Sequence, residues 1–305
     1  MTHLGSVLVG VDGSPAGSAA IRYAAHEAQG MGADVELVHL VPNYVPIAPM
    51  HPLAPSDLAA AGREVLRDAT MEAHELLDPE RITASLHVGP RIPTLLGMAE
   101  HAPLLVLGSR RRTMVDRLLT SSTLFALAAR ASCPVVAVPQ SWTATSEQHT
   151  ILVGVKSPEH SRALMRRALQ IAAERKAGLV LLHAWELPHE YDDLITARID
   201  EDEWGARARR TIEGSLSGLR DAYSEVPVEI RVVHGQPAHV LQVASEQADL
   251  LLLARRQRGF PLGHLGGTGR ALLREGHCPV EVVPPAEGPT DESELVLEEA
   301  GDLSK

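Results

Sequence analysis

The strongest constraint on this sequence is that its second half repeats the motifs of its first half in the same order. Val9-Gly10-Val11 matches Val153-Gly154-Val155 at an offset of 144, and Cys133-Pro134-Val135 matches Cys278-Pro279-Val280 at an offset of 145. Three further anchors lie between them at offsets of 144 or 146: Val38-His39 with Leu182-His183, Val88-Gly89 with His234-Gly235, and Leu104–Leu107 with Leu250–Leu253. A period of this length indicates a duplicated domain and not a short solenoid unit.

Each repeat alternates short apolar runs with longer stretches that suit helices. The strands predicted in the first repeat are Val7–Val11, Val35–Val41, Ile82–Val88, Leu104–Leu107 and Val135–Val138. Helices are predicted over residues 16–30, 57–77 and 91–101, with one more before the last strand. Continuous apolar strands that alternate with helices are typical of parallel sheets covered on both faces. The predicted fold class is therefore α/β, with two tandem doubly wound parallel-sheet domains.

Composition predicts the boundaries of these domains. The first domain covers residues 1–139, a polar linker covers 140–149, and the second domain covers 150–285. Residues 286–305 carry seven acidic side chains and one lysine, and they follow Pro284-Pro285. This composition predicts an acidic disordered tail, which we interpret as solvated, with partner binding as the alternative.

The formal net charge of −11 makes nucleic acid and anionic membranes unfavourable partners. No apolar run approaches the roughly 18 residues of a membrane-spanning helix, and no signal peptide is recognisable, so we expect a cytoplasmic protein.

Cys133 and Cys278 are too few for a disulfide framework and are expected to pack as small buried side chains. His39 and His183 lie at the ends of matched strands. We interpret both histidines as packed structural residues, and we predict no metal site there.

The strand that ends in Val11-Asp12-Gly13-Ser14, with Ser18 four residues on, resembles the start of the universal stress protein family. The His-ended second strand, the Gly89-Pro90 turn and the Cys-Pro-Val final strand are similar to that family as well. The resemblance covers about residues 5–140 and 149–284. It implies the universal stress protein fold, which is similar to the adenine nucleotide α-hydrolases, and a regulatory role in stress response.

The resemblance also implies where an adenine nucleotide would bind. In ATP-binding members the fourth strand is followed by Gly, two residues, Gly, nine residues, and then Gly-Ser or Gly-Thr, so that backbone N–H groups reach the phosphates. An Asp after the first strand holds the adenosine, and adenine contacts the backbone after the His of the second strand, here Leu40 and Ala184. The binding residues predicted on this basis are Gly10, Asp12, Leu40, Gly108, Arg110, Ser121, Ser122, Gly266, Gly267 and Thr268.

The first repeat departs from this pattern at two glycine positions. It keeps Asp12 and Gly108, but Arg111 stands at the second glycine and Ser121 at the third, followed by Ser122. Its loop carries a run of arginines: Arg110, Arg111, Arg112 and Arg117. These arginines either replace backbone contacts with bonds to an anion or are solvated loop charges.

The second repeat has lost different parts of the pattern. It keeps Gly267-Thr268 behind Gly266, but Ala254 and Gln257 stand at the first two glycines. Lys156 replaces the Asp after the first strand. Arginines surround this loop too, and the same two interpretations, anion ligand or solvated charge, apply to them: Arg255, Arg256 and Arg258. The two repeats are therefore predicted to hold complementary remnants of an ATP site.

Sequence motifs of conventional enzymes are absent, including the phosphate loop ending in Gly-Lys-Ser/Thr and the Gly-x-Ser-x-Gly nucleophile elbow. No catalytic residue is predicted, and the chain is expected not to be an enzyme. Three functions remain open: a regulator that binds ATP or a related adenine nucleotide, a nucleotide-independent scaffold, and a slow ATP hydrolase. An unknown regulatory protein is the expected macromolecular partner.

The last strands of the two repeats are expected to pair with each other, because the resemblance implies pairing through the last strand. Residues 134–139 and 279–284 should therefore meet edge to edge and relate the repeats by a pseudo-two-fold axis. Whether two whole chains also form a homodimer is left open.

Overall fold

The computed structural model describes residues 5–42, 55–110, 121–144, 148–156, 161–186, 201–255 and 265–285. The predicted tail 286–305 lies outside these ranges, and so do several predicted loop residues: Arg111, Arg112, Arg117, Arg256, Gln257 and Arg258.

The first repeat contains five strands and four helices among the described residues. The strands are β1 (Val7–Gly10), β2 (Val35–Val41), β3 (Ile82–Val88), β4 (Leu105–Ser109) and β5 (Val135–Pro139). The helices are α1 (Pro15–Met31), α2 (Pro55–His74), α3 (Arg91–Ala99) and α4 (Ser121–Arg130). Ser14 caps α1 by accepting a hydrogen bond from the Gly17 N–H at 3.2 Å, as its position before Pro15 predicts.

The second repeat has the same order of elements. Its strands are β6 (Thr150–Gly154), β7 (Gly178–Trp185), β8 (Val228–His234), β9 (Leu250–Ala254) and β10 (Val280–Val283). Its described helices are α5 (Arg162–Arg175), α6 (Glu201–Leu216), α7 (Pro237–Ala244) and α8 (Gly267–Glu275). Every described helix is too short or too polar to cross a lipid bilayer.

Element boundaries differ from the prediction by a few residues. Helix α2 begins at Pro55, two residues early, because proline suits the first turn of a helix. Strand β4 runs on to Ser109 because β5 continues to pair with it as far as Pro139. Within the predicted linker, Trp142 packs edge-on against Tyr23 with ring centroids 5.1 Å apart, so this part of the segment contacts the first repeat.

All ten strands form one sheet in the order β3-β2-β1-β4-β5-β10-β9-β6-β7-β8. Neighbouring strands are parallel within each repeat, as the α/β prediction requires. Strands β5 and β10 pair antiparallel, with Val280 opposite Ala137, Glu281 opposite Val136, and Val282 opposite Val135. The predicted edge-to-edge meeting of the last strands is thus present, and we call this β5–β10 pairing the seam.

Apolar side chains cover both faces of the sheet. On one face a single cluster continues across the seam, joining Leu105 and Leu127 of the first repeat to Leu251 and Leu272 of the second. On the other face each repeat has its own cluster, built around α1 and around α5. The shared cluster makes the two repeats one packed body along the seam.

The strand order places a switch point in each repeat. It lies between β1 and β4 in the first repeat and between β6 and β9 in the second. At a switch point the chain leaves neighbouring strands toward opposite faces, which opens a crevice at their carboxyl ends. Most of the predicted binding residues belong to this edge of the sheet.

Candidate nucleotide site

The two matched histidines make the same hydrogen bond. His39 Nδ1 lies 2.8 Å from the Val11 carbonyl oxygen, and His183 Nδ1 lies 2.8 Å from the Val155 carbonyl oxygen. Because a carbonyl oxygen only accepts, each Nδ1 carries the proton and donates it. Each histidine ties the end of one strand to the residue after its neighbour, as the packing interpretation predicts. The described residues contain no group of three His, Cys, Asp or Glu side chains that could hold a metal ion.

The backbone of Leu40 faces the crevice of the first repeat. The Val38 carbonyl accepts from the Val11 N–H on the β1 side, and backbone groups two residues apart in a strand point the same way. The last β1–β2 pair is Gly10 with Val38, so the N–H and C=O of Leu40 point past the end of β1. The Leu40 side chain is buried in the core. Only its backbone is therefore oriented for a ligand.

Ala184 occupies the matching position in the second repeat. The Val155 N–H donates to the Leu182 carbonyl, and the last β6–β7 pair is Gly154 with Leu182. The backbone groups of Ala184 therefore point past the end of β6, as those of Leu40 do past β1. The backbone groups of Leu40 and Ala184 are therefore oriented alike in the two repeats.

Asp12 and Arg110 lie on opposite sides of the first switch point and form an ion pair. Arg110 Nη2 is 3.6 Å from Asp12 Oδ2, and both side chains are exposed. Asp12 Oδ1 also accepts hydrogen bonds from the Ser14 backbone N–H, at 3.0 Å, and from the Ser14 hydroxyl. The carboxylate predicted to hold adenosine is therefore already engaged by two neighbours of its own repeat.

Gly10 and Gly108 both lie at close contacts within the first repeat. A Cβ on Gly108 would overlap the backbone carbonyl of Ala16, where α1 passes close to β4. A Cβ on Gly10 would overlap the Leu107 side chain, and Gly154 stands in the same relation to Leu253 in the second repeat. The presence of Gly108 is thus accounted for without a phosphate, because the Ala16 backbone cannot move aside as the end of the Leu107 side chain can.

Ser121 is the first residue of α4 and Gly267 is the first residue of α8, so the structure aligns them as the sequence does. Ser122 follows as the second residue of α4. The side chains of Ser121 and Ser122 lie outside the described part of the chain.

Helix α8 begins on two glycines, Gly266 and Gly267. Gly266 is its N-cap, and no described side chain caps the helix. No described atom lies within 4 Å of where a Cβ would stand on Gly266 or Gly267. The first intrahelical donor is the Arg270 N–H, which bonds to the Gly266 carbonyl at 3.1 Å, so the N–H groups of Gly267, Thr268 and Gly269 precede it. Such a terminus attracts anions through its N–H groups and its dipole.

Arg255, which follows β9 beside the second crevice, does not have the role that the sequence predicted for it. Its guanidinium donates to the Ala131 carbonyl across the seam, and its backbone N–H donates to the Val283 carbonyl at 2.8 Å. Burial lowers the pKa of Arg255 below its usual range. Arg255 is therefore half-buried and belongs to the seam, which corrects its interpretation as an anion ligand or a solvated charge. Lys156 lies two residues past the end of β6, at the same edge as the crevice.

An aromatic cluster that the sequence analysis missed lies at the carboxyl ends of β7 and β8. Trp185 stacks on Trp204 of α6 with ring centroids 5.9 Å apart and planes inclined by 19°. The His234 ring is 4.5 Å from Trp185 on the neighbouring strand. The available signal was the tryptophan directly after Ala184, where the first repeat has Val41.

One cavity in the described part of the chain lies away from both crevices. It has a volume of about 350 Å³ and is lined in part by Thr150, Gly178 and Val228, which begin β6, β7 and β8. These are amino ends of parallel strands, whereas ligands of such sheets bind at the carboxyl ends. The cavity is therefore not the predicted nucleotide site.

Both cysteines are buried at the start of the seam strands, as predicted. Burial raises the pKa of the Cys133 thiol to about 11 and that of Cys278 to about 12. Reactive thiols have a depressed pKa, so these side chains behave as small apolar residues at neutral pH.

Comparison with known proteins supports the interpretation of the repeats. The family model described as the universal stress protein family matches twice, at residues 4–139 and 148–284. Universal stress protein Rv2623 of Mycobacterium tuberculosis is 30% identical over 285 residues, covering 90% of this chain and 95% of its own. Universal stress protein Rv1996 of the same organism is 28% identical over 309 residues, covering 92% and 95%.

A solved structure has the same fold. The crystal structure of a universal stress protein from Archaeoglobus fulgidus covers 94% of this chain and 100% of its own, with a TM-score of 0.65. Its sequence identity is 15%, so the likeness is one of fold alone.

Proposed function

The chain belongs to the universal stress protein family, as a tandem member with two such domains, and from this premise we propose that it is a regulatory protein that binds an adenine nucleotide in its second repeat. The phosphates bind at the start of α8, and the adenine faces the backbone of Ala184. Binding of the nucleotide is the signal, and an unidentified regulatory protein reads it.

The observation that carries this proposal is the glycine start of α8. Among the described atoms none lies within 4 Å of a Cβ placed on Gly266 or Gly267, and three backbone N–H groups precede the first intrahelical donor. A helix that follows a parallel strand starts at the carboxyl edge of the sheet, so this terminus lies on the same edge as the second switch point. Lys156 adds a positive charge to that edge.

A second function is favoured by a specific observation in the first repeat. Gly108 is required for packing against the Ala16 backbone, and Asp12 is paired with Arg110 and Ser14. A chain can keep these residues for structural reasons after nucleotide binding is lost. The alternative proposal is therefore a nucleotide-independent scaffold in stress response.

Calorimetry on the intact chain separates the two functions. ATP, ADP and adenosine are titrated in turn, after mass spectrometry of any ligand that the natively purified protein retains. The regulatory function predicts saturable binding that strengthens with the number of phosphates, because the α8 start recognises the anion. If none of the three ligands gives binding heat at millimolar concentration, the regulatory function is excluded and the nucleotide-independent scaffold remains.

A further inference from the structure

Val136 and Glu281 face each other at the centre of the seam. The offset of 145 that relates the last strands makes them equivalent residues of the two repeats, and the pairing register places them directly opposite. The pseudo-two-fold axis therefore passes between them. Glu281 is 2% exposed, and Arg167 of α5 donates a hydrogen bond to its carboxylate.

A polar cluster lies over this axis, between α1 and α5. Arg175 donates to Glu27 at 2.6 Å and to the Tyr23 hydroxyl at 3.4 Å, which joins the two repeats. Burial alone would raise the pKa of Glu27, but a hydrogen bond from His26 and the charge of Arg175 hold it below its usual value. Glu27 is therefore ionised inside the interface.

The cluster divides its charges unequally between the repeats. The first repeat supplies one carboxylate, Glu27, together with the neutral Tyr23. The second repeat supplies two guanidinium groups and one carboxylate: Arg167, Arg175 and Glu281. Each repeat thus contributes one unbalanced charge, and the two are opposite in sign.

The equivalent positions show what other pairings would bring together. At the offset of 144, Glu27 is equivalent to Ile171, and Met31 is equivalent to Arg175. In a two-fold pair of first repeats, Glu27 would therefore face Met31. A symmetric interface presents the same patch on both sides, so this mismatch would occur twice.

A pair of second repeats fails for the opposite reason. Arg175 would face Ile171, and Glu281 would face a second Glu281 across the axis. Like charges directly opposite in neighbouring strands are unfavourable, and a buried ion that loses its partner is destabilising. Only the pairing of a first with a second repeat joins Glu27 to Arg175 while leaving Met31 and Ile171 as the apolar counterpart.

We propose that the seam is a hetero-specific interface, in which the pairing surface of the first repeat accepts the second repeat and rejects a copy of itself. The occupant of this surface is the second repeat of the same chain. Since a short connection gives the two repeats a high effective concentration, the intramolecular pair forms first. The whole chain consequently does not dimerise through its last strands.

The test uses the full chain nicked after folding, at a protease site placed in residues 145–147. The nicked protein is incubated in urea below its unfolding midpoint, so that the halves exchange, and the pairs are counted by native mass spectrometry. The proposal predicts at least tenfold more mixed pairs than pairs of identical halves. Identical pairs at the level of random assortment would overturn it.

A substitution redirects the pairing. Glu27→Ile makes a pair of first repeats apolar and strips Arg175 of its partner in the mixed pair. We expect identical first-half pairs to increase at least tenfold, which a loss of stability alone would not produce. An unchanged distribution of pairs would overturn the proposal. If this variant does not fold, the ratio of mixed to identical pairs in the unsubstituted nicked chain tests the proposal by itself.

The matched control is an ion pair inside one repeat. Arg22 Nη1 lies 2.9 Å from Glu72 Oε1, between α1 and α2. Arg22→Gln removes an arginine–glutamate pair on the same helix without touching the seam, so the distribution of pairs is expected to stay within twofold of the unsubstituted chain. A redistribution equal to that of Glu27→Ile would show that any lost ion pair has this effect and would overturn the specific role of Glu27.

Discussion

The Arg110 guanidinium lies 3.6 Å from the Asp12 carboxylate, and the ion pair bridges the switch point of the first repeat. The two side chains are 41% and 66% exposed, so water screens their attraction. Arg110 is thus paired with the carboxylate to which the family resemblance assigns the binding of adenosine. The Asp12 carboxylate of the first repeat is therefore already paired, which is why the proposed function assigns phosphate binding to the second repeat.

We expect Asp12→Asn to change the free energy of unfolding by less than about 1 kcal/mol, because exposed ion pairs contribute little. The asparagine oxygen can still accept the hydrogen bonds from Ser14. Urea denaturation measures the change, with Arg110→Gln as the matched removal of the other partner. A loss above about 2 kcal/mol for either variant would mean that the pair is structural, contrary to its exposure.

Two glycines should respond oppositely to the same substitution. Gly108→Ala places a methyl group against the Ala16 backbone, and such overpacking costs about 1–3 kcal/mol. Gly267→Ala meets no described atom and removes a glycine from a helix, so it should stabilise by up to about 1 kcal/mol. Thermal and urea unfolding of both variants test the contrast. Equal effects would contradict the packing explanation of Gly108.

The buried thiols predict a loss of stability in alkali. Burial raises the pKa of Cys133 to about 11 and of Cys278 to about 12, from an ordinary value of 9.0. The folded state therefore holds these protons more tightly than the unfolded state, so their contribution is complete below pH 9 and is lost as the pH rises toward 11–12. The full loss is on the order of 3 kcal/mol for Cys133 and on the order of 4 kcal/mol for Cys278.

The pH dependence is measured by urea unfolding between pH 8 and pH 11, in steps of about half a unit. The Cys133→Ala/Cys278→Ala variant is the reference, because it keeps every other titrating group, including Tyr23. Its free energy of unfolding should fall less steeply with pH than that of the unsubstituted chain. Parallel curves for the two proteins would contradict the assignment to the thiols.

The matched histidines should tolerate asparagine better than leucine. His39 donates from Nδ1 to the Val11 carbonyl, and an asparagine amide can donate from nearly the same position. His39→Leu leaves that carbonyl without its side-chain donor, at a cost of about 1–3 kcal/mol. The same pair of substitutions at His183 serves as an internal replicate. Asparagine and leucine variants of equal stability would argue that the hydrogen bond contributes nothing.

The apolar pattern of the sequence was sufficient to predict the strands in their order along the chain, and the family resemblance implied the meeting of the last strands. Apolar runs such as Leu104–Leu107 are long enough to identify buried parallel strands, and the two Cys-Pro-Val motifs identified β5 and β10. The structure places both strands in the seam and pairs them antiparallel. The strands follow from local apolar patterns that repeat, whereas their meeting at the seam was expected from the family resemblance alone.

The contacts across the seam could not be predicted in the same way. Glu27 looks like a solvent-facing residue of α1, yet it is buried where Arg175 of the other repeat donates a hydrogen bond to it. Arg255 follows a strand like the arginines of the phosphate loop, yet it donates to Ala131 of the other repeat. Such partners are set by how two domains approach each other, and no local periodicity encodes that approach.

The packing role of Gly108 could not be predicted from the sequence either, because it depends on a tertiary contact. Its position after the fourth strand matches the first glycine of the phosphate-binding pattern, so the sequence indicated a ligand. The close approach of α1 at Ala16 explains the same glycine by sterics. A pattern that serves two purposes cannot show from the sequence which of them a given chain has kept.

The most direct test of nucleotide binding at α8 compares ATP affinity in Gly266→Asp and Gly266→Asn. Both residues are good N-caps, and Gly266 has a φ of −64° that either can adopt, so both variants should fold at least as well as the unsubstituted chain. Only aspartate adds a negative charge where the phosphates bind. We predict by calorimetry that Gly266→Asp weakens ATP binding at least tenfold more than Gly266→Asn does. Equal ATP affinity in the two variants would contradict phosphate recognition at the start of α8.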